Sequence, residues 1–215
     1  MGAGVRKTYE FYNVSTGKLV QSIKKEDGTG WLKKPWQHYT GFLRWISIKD
    51  DTYQNRPTKK LELVMLDSDN TDQEAIITST LKTWFVIGFF QRIGSVDLKR
   101  AFTLGTGESK QQAKVTFCWI HQDEAEIPMD EAYPRPITID AETKDYRAVI
   151  ERVEADIKNI QKALVAIYGA PYRITRATTS EDNHPGVGMP VRSEPKTVQS
   201  QPEVPPPTDS DEPPF

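Results

Sequence analysis

Trp31, Trp36 and Tyr39 are interleaved with Lys33, Lys34 and His38 in the stretch from Gly28 to Gly41, which Lys24 and Lys25 precede. Flat aromatic faces accept stacked bases, and cations replace the counterions along a phosphate backbone, so this mixture suits an unpaired nucleic-acid strand. Glycines and Pro35 interrupt any helical or strand period, and the stretch reads as an adaptable loop. Asp50 to Lys60 adds Tyr53, Arg56, Lys59 and Lys60, and Lys110 contributes a further cation. The plainer alternative is that the tryptophans cover an apolar core while the lysines solvate the surface.

Signatures of bond-making chemistry are missing. His38, His121 and His184 are the only histidines, and none shares metal-ligand spacing with Cys118, the sole cysteine, or with another histidine. Asp67, Asp69 and Asp72 lack the glycine and closing glutamate of a calcium loop. Gly105-Thr106-Gly107 lacks the Lys-Ser/Thr of a phosphate-binding loop. No catalytic residue, no metal and no cofactor is expected, and binding is the chemistry left.

The elements that must position these residues begin with a hairpin, Val5 to Tyr12 and Lys18 to Ile23, turning at Asn13, Ser15 and Gly17. Phe42 to Lys49 alternates as a strand, and Lys60 to Leu66 and Glu74 to Thr78 are two more, divided by the Asp67 to Asn70 turn. Thr80 to Ile93 fits a buried helix, although a buried strand over Thr83 to Phe90 fits the same apolar run. Asp97 to Leu104 and Ala113 to His121 read as strands joined at Gly105 to Gly107. Trp45, Trp84, Phe85, Phe89, Phe117 and Trp119 fall in these periodic elements, where a core role is expected. From Phe42 onward the order is strand, strand, strand, helix, strand, strand, which is that of the OB-fold. In that fold a nucleic acid lies between the loop joining strands one and two, here Asp50 to Thr58, and the loop joining strands four and five, here Gly105 to Gln112.

Tyr146, Ile150, Val153, Ile157, Ile160, Leu164 and Ile167 recur at heptad spacing, with Asp140 as N-cap, Gly169 as C′ residue and Pro171 as stop. A helix over 141–168 is expected, its seam packed on the preceding domain or paired with another copy. Beyond it, Pro171 to Phe215 holds 10 of the 15 prolines and too few large apolar residues to offset the entropy of ordering. The division is therefore 1–140, a mainly β, OB-like five-stranded barrel with an N-terminal hairpin and one internal helix; 141–170, a long C-terminal helix; and 171–215, a disordered acidic tail.

Charge is segregated along this plan. Met1 to Gln122 carries 18 Lys+Arg against 12 Asp+Glu, whereas the tail carries 4 against 7. A basic body with an acidic end suits a polyanion binder. A lone cysteine, the absence of a secretory signal and an apolar run of only seven residues, Trp84 to Phe90, point to a reducing compartment and no membrane.

The chain ends Asp209-Ser210-Asp211-Glu212-Pro213-Pro214-Phe215. Carboxylates, a terminal ring and entropy-reducing prolines on a tether can dock into a shallow apolar pocket with a basic rim. With its Pro-rich linker this end resembles the C-terminal tip of bacterial and phage single-stranded-DNA-binding proteins, with Asp209, Asp211, Glu212, Pro214 and Phe215 matching and Pro213 standing where an aliphatic residue is usual. The resemblance implies non-enzymatic, sequence-nonspecific binding of single-stranded DNA in replication, recombination and repair, in a bacterial or phage-infected cytoplasm. It also implies recruitment of replication or recombination proteins through the tip. A tethered polyanion would compete with DNA for the basic surface. The alternatives are a protein-interaction or oligomerisation adaptor, using the 141–168 helix to form a homo-oligomer, and a strand-annealing recombination protein.

Overall fold

The computed structural model describes residues 8–109, 115–140 and 143–169. Residues Val5 to Lys7, Lys110, Ala141 and the tail with its Asp209, Asp211, Glu212, Pro213, Pro214 and Phe215 tip lie outside these residues.

Strands β1 (Thr8–Ser15) and β2 (Lys18–Lys24) form the expected hairpin. Thr16 and Gly17 turn it at φ of 44° and 71°, the two-positive geometry that follows the right-handed twist of a strand pair. Strand β3 (Trp31–Trp36) pairs antiparallel with β2 over its full length. The Gly28 to Gly41 stretch is thus mostly strand rather than loop. Only 25–30 forms a turn, where Asp27 accepts the Thr29 N–H and hydroxyl and Gly28 and Gly30 take positive φ.

Strands β4 (His38–Tyr53) and β5 (Arg56–Asp67) pair as one long hairpin with a bulge between Leu43 and Trp45. Gln54 and Asn55, at φ of 49° and 60°, turn it, so Asp50 to Thr58 is strand and tight turn rather than an open loop. Strand β6 (Gln73–Thr80) follows the Asp67 turn, whose carboxylate accepts the Asp69 and Asn70 N–H groups. Helix α1 (Trp84–Ile93) decides the ambiguous apolar run in favour of helix, with the Thr83 hydroxyl accepting the Val86 N–H as N-cap. Strands β7 (Phe102–Glu108), β8 (Thr116–Gln122) and the short β9 (Ala125–Glu126) come next. Gly105 and Gly107 are inside β7, paired with Trp119 and Phe117, and do not form the expected connection.

Among the described residues the sheet has nine strands in the order β3-β2-β1-β6-β5-β4-β7-β8-β9, antiparallel except for β1 beside β6. From β4 to β8 the chain order of strand, strand, strand, helix, strand, strand is the expected one, and β4 pairs with β5 and β7, β5 with β6, and β7 with β8. The ladder does not close into the expected five-stranded barrel, because β1 takes the remaining edge of β6 and the sheet ends at β3 and β9. It nevertheless curls far enough for the β1–β2 turn to reach the opposite limb. Gly17 N–H donates to Thr116 Oγ1 at 2.7 Å, and Thr106 Oγ1 donates to the Gly17 carbonyl at 2.9 Å. A Cβ on Gly17 would lie 2.9 Å from the Cβ of Glu108, so only glycine permits this approach.

Strands β10 (Ile137–Thr138) and β11 (Lys144–Asp145) pair with each other, and helix α2 (Arg147–Tyr168) starts only after them. The helix is shorter than the expected 141–168 because Lys144 and Asp145 are taken by that ladder. Asp145 rather than Asp140 accepts the first N–H, from Arg147, and Gly169 caps the C-terminus at φ 78°. Val153, Ile157 and Leu164 are buried in the same core as Leu43 and Ile46 of β4 and Phe85 and Phe89 of α1. Gln161 donates to the Ile46 carbonyl at 2.7 Å and the Arg44 guanidinium lies 3.7 Å from the centroid of the Tyr168 ring, fixing α2 against β4. The heptad seam therefore packs on its own sheet, each fully buried aliphatic residue contributing about 1.5–3 kcal/mol. No helix among the described residues is long and apolar enough to cross a membrane.

Candidate nucleic-acid interface

Every residue of β3 is exposed, because the strand forms an edge of the sheet and neither of its faces is covered. Pro35 is tolerated there, since an edge strand has one row of backbone groups that needs no partner, and Lys33 and Lys34 blunt the edge against a second strand. Trp31 is 45% and Trp36 40% exposed, values high enough to leave a ring face open. Successive residues of a strand point to opposite sides, so Trp31 and Lys33 occupy one face and Lys34 and Trp36 the other. Contacts to β2 fix both sets. Lys33 Nζ donates to Ser22 Oγ at 2.6 Å, Trp36 Nε1 donates to Gln21 Oε1 at 3.0 Å, and Lys34 Nζ sits 4.4 Å from the centroid of the Trp36 ring. The indole of Trp36 is thus oriented by its ring nitrogen and paired with a cation on the same face.

Tyr39 does not join them. It is 8% exposed, packed in the core with its ring edge-on to Tyr12 at 5.7 Å, and burial pushes its hydroxyl pKa up. The core alternation of β4 takes this side chain inward, so it offers no stacking face. Tyr53, 67% exposed, and Arg56 face each other across the β4–β5 turn. Lys60 is held by Asp51 at 2.5 Å, which keeps the Asp51 carboxyl below its usual range, and Lys59 reaches Glu154 of α2 at 3.6 Å. The second set of predicted residues thus forms a separate hairpin tip in which Arg56 makes no ion pair among the described residues, while Lys59 and Lys60 already have partners. Lys110 lies outside the described residues.

A third aromatic group was not expected as a surface. On β8, Cys118 and Ile120 point into the core against α1, so Phe117, Trp119 and His121 point away from it. Phe117 is 41% exposed and Trp119 is half-buried. Their rings lie over β7 where it has no side chains: a Cβ on Gly105 would be 2.0 Å from the Trp119 ring, and one on Gly107 would be 2.4 Å from Phe117. His38 and His121 flank Trp119 at centroid distances of 6.1 and 4.9 Å. An open depression of about 280 Å³ adjoins this row, between His38, Thr40, Trp119, His121 and Asp123. The signal for this surface was present as glycines at 105 and 107 facing aromatics at 119 and 117, but it becomes visible only once the pairing register is known.

Cys118, buried against α1, has its thiol pKa pushed up by burial, which removes the thiolate a nucleophile needs. Among the described residues no group of three or more His, Cys, Asp and Glu is placed to hold a metal ion. What the exposed groups can do is stack, donate hydrogen bonds and attract anions. No protein-family model, curated protein or solved structure matches this chain.

Proposed function

We propose that this chain is a non-enzymatic protein that binds single-stranded DNA without reading its sequence, of the bacterial and phage single-stranded-DNA-binding kind. The observation that carries the reading is β3, an edge strand on which Trp31, Lys33, Lys34 and Trp36 are all exposed and the Trp36 ring is fixed beside the Lys34 cation. Bases stacked on such rings contribute about 1–3 kcal/mol each whatever their identity, and the lysines take up phosphates. The basic balance of Met1 to Gln122 supports the same reading.

The pairing of β4 through β8 around α1 supports an OB-type unit to which the β1–β2–β3 ribbon has been added. In this proposal the tail recruits replication or recombination proteins through Asp209 to Phe215 in the cytoplasm of a bacterium or its phage-infected counterpart. The tail also competes with DNA for the basic surface, so deleting those residues tightens DNA binding at low salt.

The test is a titration with oligo-dT followed by tryptophan fluorescence at two salt concentrations, with duplex DNA as control. Strong quenching that weakens as salt rises, with little response to duplex, is expected. Absence of quenching, or equal affinity for duplex, would overturn the reading in favour of a protein-interaction module.

A further inference from the structure

We propose that an unpaired DNA strand held by Trp36 and Lys34 passes over the free edge of β3 and continues on the outward face of the β1–β2–β3 ribbon, where Phe11, Trp31 and three lysines receive it. This inference rests on the DNA-binding reading above.

The pairing register assigns the two faces. Tyr12, Leu19 and Gln21 are buried on the core side, and Trp36 and Lys34 stand opposite Leu19 and Gln21 on that same side. By alternation Lys18, Ser22 and Lys24 of β2 point outward, as do Lys33 and Trp31, their cross-strand partners being Ser22 and Lys24, and as does Phe11 of β1. Two contacts agree with this division: Lys33 Nζ donates to Ser22 Oγ within the outward face, and Thr78 Oγ1 donates to Asn13 Oδ1 across the β1–β6 pair.

A strand stacked on Trp36 has little room to extend across the core-side face, because Leu19 and Gln21 beside it are already covered. The way over β3 is open. Among the described residues nothing pairs with its outer side, and all of its side chains are exposed. The unpaired backbone groups of such an edge can donate to phosphates as a strand crosses it.

The outward face has the chemistry to receive that strand. Phe11 is 50% and Trp31 45% exposed, and Phe11 keeps this opening although it stands in register with the buried Ile76 of β6. Lys18, Lys24 and Lys33 are exposed and belong to no ion pair among the described residues. The single carboxylate of β1, β2 and β3, Glu10, is on the core side, where the Tyr12 hydroxyl donates to it, and Glu74 of the adjoining β6 is fully buried. An apolar protein surface laid on this face would desolvate three ammonium groups without a counter-charge. A nucleic-acid strand supplies phosphates for the lysines and bases for the two rings.

The experiment uses the full chain and fluorescence anisotropy of labelled oligo-dT of about 6 and about 30 nucleotides, lengths on either side of the ~4–16 that one OB-type groove covers. The unaltered protein is compared with Trp36→Ala, with the double variant Phe11→Leu and Trp31→Leu, and with Lys24→Ala. Leucine keeps apolar bulk at exposed positions and removes the rings, so the melting temperature is expected to stay unchanged. Trp36→Ala is expected to weaken binding of both lengths. The double variant is expected to bind the short oligonucleotide as the unaltered protein does and the long one at least about tenfold more weakly. Lys24→Ala should lower the slope of log affinity against log salt by about 0.7 for the long oligonucleotide alone. If Trp36→Ala weakens binding while the double variant and Lys24→Ala match the unaltered protein at both lengths, the outward face is overturned and the function stands. Equal weakening at both lengths by the double variant would also overturn a continuation around the edge. If that variant melts lower, the Lys24→Ala slope decides alone. If the unaltered protein binds neither length, the function and this continuation fall together.

Discussion

Lys34 Nζ lies 4.4 Å from the centroid of the Trp36 ring, and both side chains project from the same exposed face of β3, whereas Trp31 projects from the other. One nucleotide strand running along one face of the sheet can stack on only one of these two indoles. Trp36 is the better placed, because its Nε1 is anchored on Gln21 and the Lys34 cation sits beside its ring. Trp36→Ala is expected to weaken oligo-dT binding about tenfold, and Trp31→Ala distinctly less. Lys34→Ala should lower the slope of log affinity against log salt by about 0.7, the value of one phosphate on a single strand. A larger effect of Trp31→Ala than of Trp36→Ala in the same titration would reverse the assignment.

Much of the sheet was legible where strands have one buried face and apolar residues alternate. Leu61, Leu63 and Met65 of β5 and Phe102 and Leu104 of β7 are such cases, although Val64 of β5 and Ile76 of β6 are buried on the other face as well. Strand β3 was not legible for the opposite reason: it covers no core on either face, so Trp-Leu-Lys-Lys-Pro-Trp carries no alternation of apolar and polar residues. Tyr39 was misjudged by proximity in sequence, since three residues past Trp36 the chain has already entered β4 and turned that side chain inward. Gly105 and Gly107 resembled a connection because glycine usually marks one. Their role in accommodating Trp119 and Phe117 belongs to the cross-strand register, a long-range property no local pattern contains.

Gly105 should be intolerant of even the smallest side chain. A Cβ there would meet Trp119 ring atoms at 2.0 and 2.1 Å, and the ring cannot simply lift away while His38 and His121 flank it. Gly105→Ala is expected to destabilise the fold by about 1–3 kcal/mol, the usual cost of overpacking. Gly94→Ala is the control, since a Cβ there meets nothing within 4 Å. Urea midpoints of the two variants make the comparison, and equal midpoints would show that Trp119 moves aside freely.

Alkaline pH should destabilise the protein through its buried tyrosines. Tyr12, Tyr39 and Tyr133 all have hydroxyl pKa values pushed above the ordinary 10.0, first by burial, with Tyr12 also donating to Glu10 at 2.5 Å. Above pH 10 the unfolded chain releases these protons while the folded chain retains them. The folded state then binds more protons than the unfolded one, and stability falls as pH rises. Urea midpoints should hold below about pH 10 and drop beyond it. Phenolate absorbance should show these tyrosines titrating only on unfolding, and a midpoint flat through that window would contradict the burial.

The seam of α2 offers two opposed outcomes for one set of substitutions. Ile157 and Leu164 are buried with Leu43 and Ile46 in the core of the same chain, so truncating either leaves a cavity between helix and sheet. Ile157→Ala and Leu164→Ala are each expected to lower unfolding stability by about 2–5 kcal/mol. Their sedimentation behaviour should match that of the unaltered protein under native conditions. Lys158→Ala, on the exposed side of the helix, should change neither quantity. A seam that served to pair copies would behave otherwise. The truncations would then dissociate an oligomer, and stability would become dependent on protein concentration. Measuring both quantities on the same variants separates these cases, because packing on the chain's own sheet affects the urea midpoint at every concentration and leaves the mass in solution unchanged.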